Sequence, residues 1–476
     1  MQENKGLWLI TIYLIVSIYL LPFPSSPKEM TTWATSVSLS EQFSFDIAWA
    51  RNLIGQNHET IEQGENLYAT TAPGLAILGL PIHSITKIFI GEIIPNPNKS
   101  NVFLSWFILR FFLSTLPLII LALWLYSHDV DEISLATLLF ASPLFIYSLL
   151  LSAYLLTGIL VYFSFRLLYD PQRIFLRNCF LAGLLSGLAS LCDFSALICL
   201  IIMAISLPIV EKQERLLSSI LFLIGASPCI VFLVVYNYLL FGSFLGAFRF
   251  DEILLQQNSS LVAYNLYLFL ISPTFGLFFY APIFLLSVVL FFTSHERKTV
   301  RHKMKLILTL ISMVCFAVFM KSEKNFAAEK FAILLPLFMD SFFDGELYDF
   351  SNIWLGLLFL ISFVFCTIPA MTFPLVTVEF KYPHNTFWLK LLIEERFLSP
   401  TSLRFFGIEN NFWLVLPTLI LLGLVFHVVW RYARRPKRFL LGAFIGFSLA
   451  CVYLGLPSLD RPELKSKREI FKALQQ

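Results

Sequence analysis

Charge is what this chain has least of. Only 14% of its 476 residues are Asp, Glu, Lys or Arg, while 58% are apolar or aromatic; a soluble domain usually carries about 25% charged residues. The shortfall excludes a soluble globular domain and a disordered chain, and makes a bilayer the expected solvent. No sign of charge predominates either. The 34 basic residues against 31 acidic ones leave +3, far from the basic surface that nucleic-acid binding requires. Metal-binding patterns are missing as well: the seven cysteines show no CxxC spacing, and the seven histidines form no HExxH and no Cys/His cluster. The cysteines lie in or beside apolar runs and read as buried hydrophobes. No internal repeat and no low-complexity linker divides the chain, so residues 1–476 read as one polytopic membrane domain.

What the sequence does contain is a long series of apolar runs. The first, Leu7 to Phe23, follows a short start bearing Lys5; no A-x-A-like cleavage site follows it and many further runs do, so it reads as a first transmembrane helix. Others fall near 102–126, 133–149, 151–169, 179–192, 195–210, 216–240, 272–293, 305–320, 330–341, 352–370, 412–430 and 439–456, about thirteen spans in all. Positive charge concentrates at Arg173 and Arg177, at Lys212 and Arg215, from His295 to Lys303, and from Arg431 to Arg438. By the positive-inside rule these loops are cytoplasmic. Parity then demands that one apolar segment before residue 170 does not cross. Leu75 to Ile90, interrupted by Pro81, His83 and Lys87, is the segment expected to lie on the outer interface. This gives a first outer loop over 24–100 with juxtamembrane helices, core helices over 101–343, and C-terminal helices over 344–476 with an outer loop at 371–411. The stretches 242–270 and 321–329 also fall outside.

A loop as long as 24–100 usually carries function. Its segment from Thr31 to Gly55 has the pattern of an interfacial helix pair and sets Asp46 near Arg51. From His58 to Pro81 come Glu59, Glu62 and Glu65, closely spaced, before Pro73-Gly74 breaks the chain. Two readings fit these acids: a solvated negative loop, or a carboxylate at the bilayer edge acting as general base. Elsewhere, Asp193 reads as a helix-capping turn residue, Arg110 and Lys305 as side chains snorkelling from span ends, and Asp340, Asp344, Glu346 and Asp349 as a solvated acidic turn. Tyr264 and Tyr267 read as interfacial anchors or as the lining of an acceptor groove.

Five fragments in series carry a family resemblance. TTWATSVSLSEQFSF followed by GENLYATTAPGLAILGLP, Arg110 early in a helix, FLAGLLSGLASLCDFSA from Phe180 to Ala196, YNYLLFGSFLGAF from Tyr236 to Phe248, and SPTFGLFFYAPIFLLS from Ser272 to Ser287 occur in order. Together they resemble bacterial protein O-mannosyltransferase-like members of the glycosyltransferase-C superfamily, over roughly residues 30–340. The resemblance implies an all-α polytopic membrane protein with a glycosyltransferase-C-like bundle. It implies an enzyme that moves a sugar from a polyprenyl-phosphate-linked donor to a lipid, glycan or protein acceptor at the outer face of a bacterial cytoplasmic membrane. An acid of the first outer loop would deprotonate the acceptor, with Asp46 the first candidate and Glu59 and Glu62 next. Arg51, Arg249, Lys321, Lys324 and Lys330, with Tyr68 beside the loop acids, would bind substrate and hold the lipid phosphate. No Rossmann nucleotide site is needed, and one carboxylate plus donor oxygens could hold a divalent cation as cofactor. The partners implied are the lipid-linked donor, membrane lipids and the acceptor. Three departures from the pattern stand out: no basic residue precedes Pro73-Gly74, Lys330 replaces an arginine, and Ile47 follows Asp46 where many superfamily members have an Asp-Glu pair. Two other classes stay open: a lipid or glycan flippase or transporter, against which the lack of inverted repeats counts, and a catalytically inactive partner in a membrane complex, which the departures favour.

Overall fold

The computed structural model describes residues 5–22, 26–55, 59–94, 97–169, 176–210, 215–244, 259–274, 276–293, 299–318, 329–343, 351–374, 382–393 and 399–455. Helix dominates them. The chain opens with α1 (Lys5–Tyr19) and α2 (Pro27–Gln42), then a short α3 (Arg51–Ile54), α4 (Gly74–Ile90) and α5 (Lys99–Arg110). A wide π-helical turn, Phe111–Thr115, joins α5 directly to α6 (Leu116–Ser127). Next come α7 (Glu132–Phe140), α8 (Pro143–Ser148), α9 (Ala153–Tyr169), α10 (Leu176–Cys192), α11 (Ala196–Val210) and α12 (Arg215–Phe241). After these lie α13 (Ser259–Leu270), α14 (Leu277–Tyr280), α15 (Phe284–Thr293), α16 (Val300–Val318), α17 (Glu329–Ala332) and α18 (Leu335–Phe343). The last are α19 (Asn352–Met371), α20 (Leu389–Ile393), α21 (Asn411–Tyr432) and α22 (Pro436–Gly455).

Among the described residues, five helical stretches are long and apolar enough to cross a membrane: Lys99–Ser127, Leu216–Phe241, Asn352–Met371, Asn411–Arg431 and Pro436–Gly455. That is compatible with an all-α membrane protein, but is fewer than the thirteen spans expected, and proline accounts for part of the difference. The runs at 133–149, 272–293 and 330–341 each split into two helices, at Pro143, Pro282 and Pro336. Proline lacks an N–H and disfavours helical geometry in the residue before it, so it restarts a helix more readily than it continues one. The remaining long helices pack where small residues let backbones touch. A Cβ on Gly183 would overlap the Phe222 carbonyl at the α10–α12 crossing, and one on Gly442 would overlap the Ile353 carbonyl at the α19–α22 crossing.

Three interior charges differ from expectation: Arg110 and Lys305, which do not snorkel but are buried, and Asp340. Arg110 does not snorkel: it is fully buried, with Nη2 donating to the Ser17 carbonyl (2.9 Å) and Nη1 to those of Leu20 (3.2 Å) and Leu149 (3.4 Å). Its guanidinium thus faces carbonyls at the C-terminal ends of α1 and α8, where the helix dipoles are negative. Nor is Asp340 on a solvated turn. It is fully buried on α18, and its carboxylate meets Arg301 (2.8 Å), Arg166 (3.2 Å) and Lys305 (3.2 Å). The Tyr162 hydroxyl also donates to it (3.1 Å), and Lys305, itself buried, donates to Ser341 (2.7 Å). Asp344, Glu346 and Asp349 lie outside the described residues. The cysteines hold the expectation in part: Cys179, Cys192, Cys199 and Cys366 are buried, whereas Cys451 is exposed.

The segment 24–100 is not merely a connection. Its α2, α4 and hairpin pack with α5 as a cap with its own apolar core, in which Trp33, Val37, Ile47, Ala50, Leu67, Leu75 and Trp106 pack together. It is also not wholly helical. Where a helix pair was expected, α2 ends at Gln42 and only short turns follow, and Thr60–Gln63 pairs antiparallel with Asn66–Ala69. Gly64, at φ 64°, takes the left-handed conformation that the tight hairpin turn needs. Alternation along the second strand turns Leu67 and Ala69 into the cap core, and Asn66 and Tyr68 away from it.

Candidate functional site

The cap separates the three candidate acids. Asp46 Oδ1 accepts from the backbone N–H groups of Ala48 and Leu67, both at 2.9 Å, while its own N–H donates to Ser44 Oγ (3.0 Å) and its carbonyl accepts from the Ser38 hydroxyl. These bonds stitch the hairpin to the turn before α3. Asp46 thus has a structural role in the cap through Oδ1 and its backbone. Glu62 stands exposed on the hairpin, 3.5 Å from Arg51, in a surface pair of the kind worth little in water. Arg51 therefore faces a carboxylate.

Glu59 differs from both, being 5% exposed. Its Oε1 lies 3.6 Å from Lys28 Nζ, and its Oε2 is 3.4 Å from the Thr70 hydroxyl that donates to it. The Thr70 N–H also donates to the Glu59 carbonyl (2.9 Å), which fixes the strand entry. Lys28 Nζ in turn donates to the Tyr154 hydroxyl (3.1 Å) and stands 5.6 Å from that ring's centroid. Three elements thus converge, the first turn of α2, the base of the hairpin and the first turn of α9, at the seam between cap and bundle. The seam is held by Glu29, whose Oε1 accepts from the Leu151 N–H (2.7 Å) and whose Oε2 accepts from the Ser26 N–H (3.2 Å). Ser26 Oγ accepts from the Glu29 N–H (3.1 Å), so the pair forms a capping box that starts α2. That Ser-x-x-Glu pattern, Ser26 to Glu29, is the sequence signal that would have found Lys28; a reading that begins at Thr31 misses it.

The other expected site residues scatter. Tyr68 points away from the cap core, and its hydroxyl accepts from the Asn66 side-chain amide (3.1 Å). Lys330 falls on α17, which packs against α9 and α8. Arg249, Lys321 and Lys324 lie outside the described residues. Asp193 accepts from the Ser195 N–H (2.8 Å) at the turn into α11, the capping role expected of it. Tyr264 and Tyr267 are exposed on α13.

A second polar group in the cap is sealed. Trp33 Nε1 donates to Ser105 Oγ (3.1 Å), which bonds His83 Nδ1 (3.0 Å), and His83 Nε2 meets Glu41 Oε1 (3.1 Å). Glu41 also accepts from the N–H groups of Ile93 (2.9 Å) and Ile94 (3.0 Å). Burial pulls the His83 pKa below its ordinary value despite the neighbouring carboxylate. With His83 and Ser105 both at 0% exposure, this chain ties α2, α4 and α5 together and offers no face to a substrate. Among the described residues no three His, Cys, Asp or Glu side chains converge as metal ligands. No family model matches the sequence, and no curated protein or solved structure matches it.

Proposed function

We propose that the protein is a membrane glycosyltransferase that moves a sugar from a polyprenyl-phosphate donor to an acceptor at the outer face of a bacterial cytoplasmic membrane. The observation that carries this reading is the placement of Glu59: a buried carboxylate beside the Lys28 ammonium, at the seam between the cap and a bundle with membrane-length helices. A donor whose lipid tail stays in the bilayer presents its anomeric carbon at such a level. In the reaction the acceptor hydroxyl oxygen bonds to that carbon, the bond from carbon to phosphate oxygen breaks, Glu59 accepts the hydroxyl proton, and the phosphate leaves with the bonding pair. Lys28 supplies the positive charge that the leaving phosphate needs, and Tyr154 fixes its ammonium. The five collinear motifs of the glycosyltransferase-C resemblance support the same reading.

The test is transfer of radiolabelled sugar from a polyprenyl-phosphate donor in membranes containing the full chain. Glu59→Gln should lower transfer by about 10²–10⁴-fold, the usual contribution of a general base. Asp46→Asn and Glu62→Gln should leave it within severalfold of wild type. Full activity in Glu59→Gln sinks the assignment. Movement of donor across vesicles without any new glycosidic bond would establish the transporter class instead.

A further inference from the structure

The turn between α21 and α22 carries five cations in eight residues: Arg431, Arg434, Arg435, Lys437 and Arg438. No Asp or Glu occurs between Glu409 and Asp460, so neither helix supplies a counter-charge from its own sequence. The turn is held in shape by Trp430, whose Nε1 donates to the Pro436 carbonyl (3.1 Å). Below it, on the outer surface of the bundle, α19, α21 and α22 enclose an apolar groove of about 640 Å³. Leu360, Phe426, Leu441, Phe444 and Phe447 line it, and Lys437 stands among the lining residues. Phe444 is 68% exposed and Leu441 52%, so the groove opens outward.

Its dimensions match one membrane leaflet. From Lys437 to Phe447 the helix rises about 15 Å at about 1.5 Å per residue, half of a hydrocarbon core of about 30 Å. In a helix that crosses the bilayer, a groove of this length would reach from one headgroup level towards the bilayer centre, with the positive charge of Lys437 at one end. An acyl chain fits the apolar length and a phosphate fits the charged end. A zwitterionic headgroup would answer the five cations less well than an anionic one.

We propose that this groove is a binding site for an anionic phospholipid of the leaflet that faces the basic loops. The phosphate rests on Lys437 and Arg438, and one acyl chain lies against Leu441, Phe444 and Phe447. Native mass spectrometry of the full-length protein, released from nanodiscs containing equal phosphatidylglycerol and phosphatidylcholine, counts the lipids retained. Wild type should keep phosphatidylglycerol in preference. Lys437→Gln and Arg438→Gln should each weaken that retention about fivefold, the worth of one cation near an anionic headgroup. Phe444→Trp, which keeps every charge and fills the groove, should also lower it, and millimolar inorganic phosphate should not displace the lipid. Equal retention of the two lipids overturns the proposal. So does loss in the charge variants with full retention in Phe444→Trp, which would show a diffuse basic surface, and so does displacement by phosphate, which would show a free-ion site. Helical content by circular dichroism, measured on each variant, separates lipid loss from misfolding, and Leu441→Trp offers a second way to fill the groove.

Discussion

Asp340→Asn is the substitution that the interior should tolerate least. The carboxylate is fully buried and is shared by Arg166, Arg301 and Lys305, with the Tyr162 hydroxyl as a further donor. Asparagine preserves size and one carbonyl oxygen, so the bonds to Oδ1 can survive in outline. It removes the negative charge, however, and can turn an N–H₂ towards the Lys305 ammonium that now bonds Oδ2 at 3.2 Å. Removing one partner of a buried ion pair costs about 3–5 kcal/mol, much of it the burden of the charge left behind. At about 1.4 kcal/mol per factor of ten, that lowers the folded-to-unfolded ratio by more than a hundredfold. The assay is unfolding of the purified chain in detergent, followed by circular dichroism, for wild type, Asp340→Asn, Lys305→Met and the double variant. Because Lys305 and Asp340 touch, their effects should be non-additive: the double variant should be more stable than the sum of the singles implies, by about 1 kcal/mol or more. Strict additivity, or a single variant within about 0.5 kcal/mol of wild type, would refute the view that these charges form one cooperative knot.

Other expectations are briefer. Asp46→Ala should destabilise by about 1–2 kcal/mol through loss of its two backbone bonds, as at a helix cap, whereas Asp46→Asn keeps an acceptor and should cost far less; thermal unfolding of the pair decides. Gly183→Ala drives a methyl into the Phe222 carbonyl and should cost about 1–3 kcal/mol, while Gly423→Ala, with open space around it, should be nearly neutral. Burial depresses the pKa of His83 in the fold, and unfolding restores its ordinary value. The native state therefore binds fewer protons; the stability this residue contributes is full above about pH 6.5 and is lost as pH falls below it. A melting-temperature series from pH 5 to 8 should show that fall in wild type, and a smaller one in His83→Gln.

Much of the helical plan is legible in hydropathy, because a run of apolar residues in lipid has little choice but helix. The runs at 195–210, 216–240, 352–370 and 412–430 reappear within a residue or two as α11, α12, α19 and α21. What hydropathy misses is punctuation: Pro143, Pro282 and Pro336 divide runs that look continuous when only apolarity is counted. It also misreads charge. Arg110 and Asp340 resemble span-end residues by position, yet their partners lie 39 or more positions away for Arg110 and 35 or more for the cations Arg301 and Lys305 around Asp340, pairings that only the packed bundle reveals. At the candidate site the acids were legible and their surroundings were not. Asp46 and Glu59 look alike as letters, and what separates them is the backbone of a hairpin whose short strands carry no strong apolar alternation to announce it.

The wide turn at Phe111–Thr115 bears on which changes of length this protein can absorb. Arg110 reaches the Leu149 carbonyl and Thr115 donates to that of Ser148 (2.8 Å), so two residues five apart grip neighbouring points of one segment. In a regular helix, positions five apart point about 140° away from each other. The extra residue accommodated by the π turn is what brings both to the same side. Losing one residue there would let the turn relax into ordinary helix, in which the two gripping residues stand four apart and still point within about 40° of each other. Phe112, at 46% exposure, can change in chemistry with little consequence, and the same stretch can give up its one extra residue with α5 and α6 still in phase. Among related chains, this stretch should vary in sequence and is where a gap of one residue should fall.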